Sequence, residues 1–583
     1  MSTIFFKSAL SILLLFLSLC MQGQSEYPAG YFVPPLDGRL LLSGTFGEIR
    51  AGHFHSGIDI KTGGVEGKPI YAVADGHVSR IKVSATGFGK ALYIDHPNGY
   101  TSVYAHLSRY NHAIGGYVFR EHYRKESFEI ELFPAPGEYP VKKGEVVGYS
   151  GNSGTSGGPH LHFELRNTAT QKPINPLLFG YAVKDFYRPR ITSVKIYPED
   201  ENATVNGKNK PLRILVEGWG EEHRLAKGQN VILSGSISFA VQTYDLLNDA
   251  DNKNGPYSIT LFIDGEEVFH IEKISFAFDQ TRYVNSYLDY EEYVRSNARM
   301  QRTRIDPGNR LGDLYGRVEN KGIYCFNDTL MHDIRYEVRD MAGNVGALVF
   351  QVRSEVRSQK LEDRSQKTED ESGLSIFKYD EANVFKNDLV RVSAKAGAFY
   401  DSFEFRYDSS RSVAGTYGLV HHIHDKHTPV HEFIALAIRA DGLPERYRDK
   451  TLVVKIRDDG KSFTSAGGQW NGDGFVGTRI REFGNYSVAV DTVPPKITPL
   501  RPESFKNLSA ARQVRFRISD EISGIKSYRG TLNGKWILME YDAKNNLLVY
   551  AFDENFLKGS NAFALEVIDM KDNKATYQAE LVK

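Results

Sequence analysis

Residues 157–165 read GGPHLHFEL, and the alternation within HLHFEL is that of a β-strand. On a strand, His160 and His162 point to one face with Cα atoms roughly 6.7 Å apart, at about 3.3 Å of rise per residue. Two histidines on one strand face are, taken alone, an ordinary polar surface. The preceding SGNSGTSGGP (150–159) changes that reading. It is a glycine-rich loop that leaves the mouth of the strand open, and exposed loops on a rigid scaffold are where chemistry tends to sit.

Working outward, residues 38–179 alternate short strand patterns with turn signals at Asp75-Gly76, Gly87-Phe88-Gly89 and Pro97-Asn98-Gly99. GKALYIDHPNGYTSVYAHL (89–107) reads as a hairpin around Asn98-Gly99. Its second strand places Ser102, Tyr104 and His106 on one face. HFHSGIDI (53–60) offers His53, His55 and Asp59. On a straight strand His55 and Asp59 would be about 13 Å apart, too far to share an ion. Gly57 between them permits a bend that brings both to one point. His53 and His96 read as hydrogen-bonded surface residues.

Taken in order, H-x3-D at 55–59, Y-A-H at 104–106 and H-x-H at 160–162 resemble the lysostaphin/LytM-type zinc endopeptidases of peptidase family M23. The resemblance spans about 44–178 and includes GKPIYAVADGHV (67–78) and VKKGEVVGYSGNSGTSGGPHLHFEL (141–165). It implies an antiparallel β-sheet domain that cleaves peptides of the bacterial cell wall. Carried over position by position, it makes His55, Asp59 and His162 the ligands of one Zn²⁺ and His106 and His160 the catalytic pair. Two imidazoles and a carboxylate with a fourth position open to water are the donor set of a catalytic zinc. HAIGGYVFREHYRKESFEIELFPAPGEY (112–139) is an insertion relative to the compact family pattern, expected to hold a helix near 118–128 and to wall the groove.

The remaining chain sets the context. Residues 1–25 combine Lys7, an apolar run from Ala9 to Leu19 and small residues beyond it, the pattern of a signal peptide. The expected location is therefore exported: periplasmic, cell-envelope or extracellular. Cys20 follows bulky Leu19, unlike a lipidation site, and removal of the leader leaves Cys325 without an intrachain partner. Seventy-two basic residues balanced by 72 acidic ones give no electrostatic footprint for nucleic acid. No stretch after the leader is apolar enough to span a bilayer as a helix.

Past Phe179 two elements recur: PRIT (189–192) with PKIT (495–498), and EVRDM (337–341) with EVIDM (566–570). A repeated strand-rich module is the simplest account. The expected division is a peptidase domain at 38–180, a β-sandwich module at 187–352, a charged linker at 353–373, a β-rich module at 374–490 and an immunoglobulin-like module at 491–583. The fold class is mainly β. A chain ending near Phe186 is expected to fold unaided, with the later modules holding peptidoglycan or envelope proteins. HHIHDKH (421–427) with His431 reads as a solvent-exposed loop, and DADNKNG (249–255) as a long turn rather than a calcium loop, because Lys253 takes a ligand position.

Three functions compete for the histidine constellation. The leading one is a secreted zinc endopeptidase acting on peptidoglycan cross-links. A scaffold or activator of wall hydrolases on the same fold is the alternative, opposed by the presence of all five site residues. A mononuclear iron oxygenase is disfavoured by the H-x3-D and H-x-H spacing.

Overall fold

A computed structural model describes residues 27–228, 230–356, 375–440, 442–501 and 505–583. The expected signal peptide, Cys20 and most of the charged linker lie outside them. Arg353 and Ser354 do not belong to a linker, because they end the strand Val345–Ser354. The chain is mainly β, and its sheets are built largely from antiparallel pairs. Among the described residues no helix is long and apolar enough to cross a membrane.

In the N-terminal segment we label β1 (Leu42–Gly44), β2 (Ile49–Arg50), β3 (His53–Phe54), β4 (Ile58–Lys61), β5 (Gly76–Val83), β6 (Lys90–Asp95), β7 (Tyr100–Leu107), β8 (Ile130–Leu132) and β9 (His160–Asn167). The main sheet runs β1-β4-β9-β7-β6-β5-β8, which puts β9 between β4 and β7. In that register His162 lies opposite Asp59 on one side and Ala105 on the other. Leu161, Phe163 and Leu165 point to the opposite face and are fully buried with Ile58, Ile60 and Tyr104. Each such side chain contributes about 1.5–3 kcal/mol on burial. The core thus fixes which residues of β9 face the site, since a one-residue slip would exchange the two sets.

The hairpin over β6 and β7 forms, but its turn is a longer one closed by Gly99 at positive φ. At its other end the pairing steps from Leu92↔Tyr104 to Lys90↔Leu107, so β7 carries one extra residue. His106 sits in that bulge with φ +60°. The shared face expected for Ser102, Tyr104 and His106 is therefore broken, and the bulge re-aims the His106 ring.

The insertion holds α1 (His112–Lys125), which starts six residues earlier than expected, capped by Asn111 accepting from the Ile114 amide at 2.9 Å. Ile114, Val118 and His122 form its buried stripe. Its outer side is a seat for the end of the chain. Tyr123 meets Trp536 edge-on at 5.1 Å and bonds Asp553, and Glu126 pairs with Arg529 at 2.6 Å. The insertion thus carries a contact with the last module on the outer side of its helix.

Residues 190–354 form a 13-stranded network, tied together by the 16-residue strand Val231–Leu246, which pairs with strands of both layers. This module and the N-terminal segment share hydrophobic cores. The β2–β3 hairpin buries Phe46, Ile49 and Phe54 among Phe276, Val284 and Tyr287, and Leu247 enters the core of the N-terminal segment in return. The expectation that a chain ending near Phe186 folds unaided runs against this packing, since three large apolar side chains would lose their cover. Residues 375–490 contain two five-stranded sheets, and the last module two four-stranded sheets.

Candidate active site

The five predicted residues meet at one point on the open face of the main sheet. His55 Nε2, Asp59 Oδ1 and His162 Nδ1 lie 3.0–3.1 Å from one another. His160 Nε2 stands 3.4 Å from the same Asp59 oxygen. The His106 ring is 4.8 Å from that of His160 and 5.9 Å from that of His162. His53 lies apart, exposed and bonded to the Ala51 carbonyl, and His96 is built into a buried chain with Ser102 and Tyr104.

Gly57 acts differently from the bend expected of it. A Cβ there would come 2.3 Å from the Phe163 carbonyl oxygen, so glycine lets the 55–58 segment lie against β9. Gly44 plays the same part on the other side, because a Cβ would displace the contact between Arg50 and Asp59. The loop glycines divide likewise. Gly151 and Gly154 face backbone too closely for any Cβ, and Gly157 and Gly158 border open space.

Hydrogen bonds fix the tautomer of all four imidazoles. His55 Nδ1 donates to the Thr45 carbonyl at 2.8 Å, and His162 Nε2 donates to Glu164 at 2.8 Å. His106 Nδ1 donates to the Ser153 carbonyl at 2.9 Å, and His160 Nδ1 to the Gly158 carbonyl at 2.8 Å. Each ring in its neutral form is left with one nitrogen lone pair, and those of His55, His162 and His160 converge on Asp59 Oδ1. Two lone pairs and a carboxylate oxygen held about 3 Å apart repel one another unless a cation or proton lies between them. Tetrahedral zinc ligands at 2.0–2.1 Å would be about 3.3 Å apart. The donor set and its spacing fit that ion.

Electrostatics follow from the same contacts. Burial works to raise the Asp59 carboxyl, but the surrounding histidines hold it well below the usual carboxylate range. Burial works to lower His162, and its bonds to Asp59 and Glu164 outweigh it, pushing the ring up to about 9. Burial and the neighbouring His162 and His160 push His106 down to about 3.

Several supporting residues escaped the sequence reading. Glu164 is fully buried and receives His162, Ser56 and Arg166, whose charge helps hold it down at about 2 against burial. Arg166 in turn lies over Phe278 of the following module. Arg50 donates to Asp59 at 2.9 Å. The signal was available: H-x-H-x-E-x-R continues the period of two, so Glu164 and Arg166 share the face of the histidines. The loop carbonyls of Ser153 and Gly158 had no such signal. Nor did Lys544, 388 positions beyond Ser156, whose ammonium donates to the Ser156 carbonyl at 3.0 Å and also to that of Asn152.

The histidine-rich segment 421–427 is not the exposed loop expected. His421 is buried on the strand Tyr417–Ile423, and His431 stacks on Tyr283 at 4.3 Å. Those rings pack the middle module and its junction with the preceding one.

The sequence profile of peptidase family M23 matches residues 53–122 and 136–176, a span that contains all five converging residues. Residues 53–176 are an M23 peptidase domain. A Zu5-like domain profile matches 374–491. The M23 segment is 35% identical over 123 residues to the DD-carboxypeptidase/endopeptidase Mpg of Neisseria meningitidis, covering 21% of this chain and 22% of that protein. It is 32% identical over 145 residues to the murein hydrolase activator NlpD of Escherichia coli, covering 25% and 30%. Among solved structures, the catalytic domain of the M23 protein EnpA from Enterococcus faecalis is 28% identical over 26% of this chain and 99% of that one, with a TM-score of 0.20. The chain thus spans between a fifth and a third of the length of these curated relatives.

Proposed function

We propose that the M23 domain is a zinc endopeptidase that hydrolyses peptide cross-links of peptidoglycan in the cell envelope, after export by the leader at 1–25. The observation that carries this reading is the convergence of His55 Nε2, Asp59 Oδ1 and His162 Nδ1 beside the rings of His106 and His160. His55, Asp59 and His162 would hold the ion. Zinc supplies Lewis acidity and lowers the pKa of water toward neutrality.

The residues of the chain do the rest. Glu164 and Thr45 hold the ligand rings in the tautomer that presents a lone pair, as outer partners of metal ligands do. His106 and His160 present Nε2 to the space in front of the ligands. One accepts the proton of the attacking water at Nε2 and delivers it to the leaving amine. The other, taking a proton from solvent at Nε2, donates it as a hydrogen bond to the carbonyl oxygen as charge develops there. Gly157 and Gly158 leave room for an extended peptide at the mouth. The wall substrate is supported by the name of NlpD, a murein hydrolase activator.

NlpD, named an activator, supports the second reading: a wall-hydrolase activator without cleavage of its own. All five residues and their supports are in place here, which favours the enzyme. Digestion of purified peptidoglycan by the zinc-loaded chain, with and without 1,10-phenanthroline, tests it by mass spectrometry. Chelator-sensitive release of cleaved stem peptides is expected. Intact peptides, with faster digestion only when a separate wall hydrolase is added, would transfer the conclusion to the activator.

A further inference from the structure

Where the M23 domain meets the next module, three aspartates come together away from the histidines. Asp185 lies in the connection, Asp245 near the end of the strand Val231–Leu246, and Asp340 just after Met331–Arg339. One oxygen from each lies within 4.8 Å of the others, and the residues are only 8%, 2% and 5% exposed. With Thr45, Phe46 and Tyr257 they line a cavity of about 90 Å³.

The hydrogen bonds leave this centre incomplete. Asp340 accepts from the Asn344 amide at 2.9 Å and from its side chain at 2.8 Å, and Asp185 accepts from the Tyr187 amide at 3.0 Å. Asp245 Oδ1 is buried without a partner. Burial, and then the charges of the other two carboxylates, push Asp245 up to about 9 against a hydrogen bond from the Leu246 amide. A buried carboxylate among like charges is costly unless a proton or a cation neutralises it, and a cation of higher charge can serve all three at once.

The chain contains a natural control. D-x3-P-x-I-T occurs at 185–192 and at 491–498, and D-M-x2-N at 340–344 and at 569–573. The second copies build a matching trio of Asp491, Asp520 and Asp569. There too each carboxylate has a backbone donor, Ser523 to Asp491 at 3.1 Å, Gly524 to Asp520 at 2.8 Å and Asn573 to Asp569 at 2.9 Å, but no carboxylate oxygen of the three is left buried without a partner. Lys571, whose charge acts on Asp491 and Asp569, stands where the first copy has Ala342.

We propose that Asp185, Asp245 and Asp340 bind one calcium ion, which fastens the M23 domain to the module after it, and that the Lys571-containing trio binds none. The donors are all oxygen, the preference of hard divalent cations rather than zinc. Calcium accepts irregular cages of protein oxygens at about 2.3–2.6 Å, whereas magnesium demands near-ideal octahedral geometry and keeps several of its waters, so a buried set of protein carboxylates suits calcium better. Thr45 and Phe46 belong to both this cavity and the segment that leads to His55, so the ion would steady the peptidase site from behind.

The test is calorimetric titration of calcium into the full-length, zinc-loaded chain, with melting followed in parallel. One ion per chain is expected, with a rise in melting temperature of about 5 °C at a hundredfold excess over Kd. Asp245→Asn should abolish binding and the rise, yet melt no lower than the calcium-free parent, because repulsion is removed. Asp185→Asn supplies the same readout should the first variant fail to fold. Asp569→Asn should bind as the parent does. No calcium binding at millimolar concentration, binding retained in both Asp245→Asn and Asp185→Asn, or binding lost in Asp569→Asn would overturn the proposal, whatever the peptidase activity.

Discussion

On one side of the candidate active site, His162 is held by buried Glu164, Asp59 by Arg50, and His55 by the Thr45 carbonyl in a segment packed into the core of the next module. On the other side, His106 and His160 hang on two backbone carbonyls of a glycine-rich loop, which Lys544 grips from the far end of the chain. Both sides are braced from outside the M23 domain, but by different forces. Phe54 is buried among Phe276 and Tyr287, a contact that cannot open without exposing core. The Lys544 contact is a polar one at the surface, which salt and a few kcal/mol can undo. Metal retention should therefore be a fixed property of the chain, and catalytic rate an adjustable one.

The largest effect that would break this comparison lies on the metal side. His55→Ala, Asp59→Ala and His162→Ala should each lose bound zinc and activity together, because each removes one of three protein ligands. Stoichiometric zinc in purified Asp59→Ala, read by elemental analysis, would refute the ligand set. On the other side, His106→Ala and His160→Ala should keep zinc and lose roughly 10²–10⁴-fold in rate, the span of a lost acid or base. Either variant isolated without metal would move that residue across the divide.

Smaller changes sharpen it. Glu164→Gln keeps the shape but loses the charge that fixes His162, so zinc affinity should fall about 10–100-fold in a chelator competition, with activity restored by excess zinc. Lys544→Ala should leave zinc affinity unchanged and lower the rate by roughly fivefold, the equivalent of about 1 kcal/mol. A Lys544→Ala protein with weakened zinc binding would show that the two sides are not separately held. An increase in rate would mean that the last module restrains the loop rather than orienting it.

How much of this could be read beforehand depends on the range of the interaction. The strand through His160 and His162 was legible because its alternation is local, and the loop 150–159 announced itself by composition. The His55–Asp59 pairing was legible in spacing, yet the role of Gly57 was not, since it answers to a carbonyl on another strand. The bulge at His106 leaves no mark in the pattern Y-A-H. Sequence repeats pointed to modules but not to their joining, because Phe54 and Thr281 come together only in three dimensions. The buried histidines at 421 and 431 were misread for the same reason: a polar run in sequence became packing between aromatic rings.

The neighbourhood of Phe54 also bears on time. His55 follows directly on a residue whose amide bonds to Thr281, 227 positions later, and whose ring rests on Phe276 and Tyr287. A chain that emerges from a ribosome N-terminus first exposes its histidines long before the surface that seats them exists. The ligand set then closes only when nearly half of the polypeptide has folded behind it. Order of synthesis becomes a latch on the histidine–aspartate cluster.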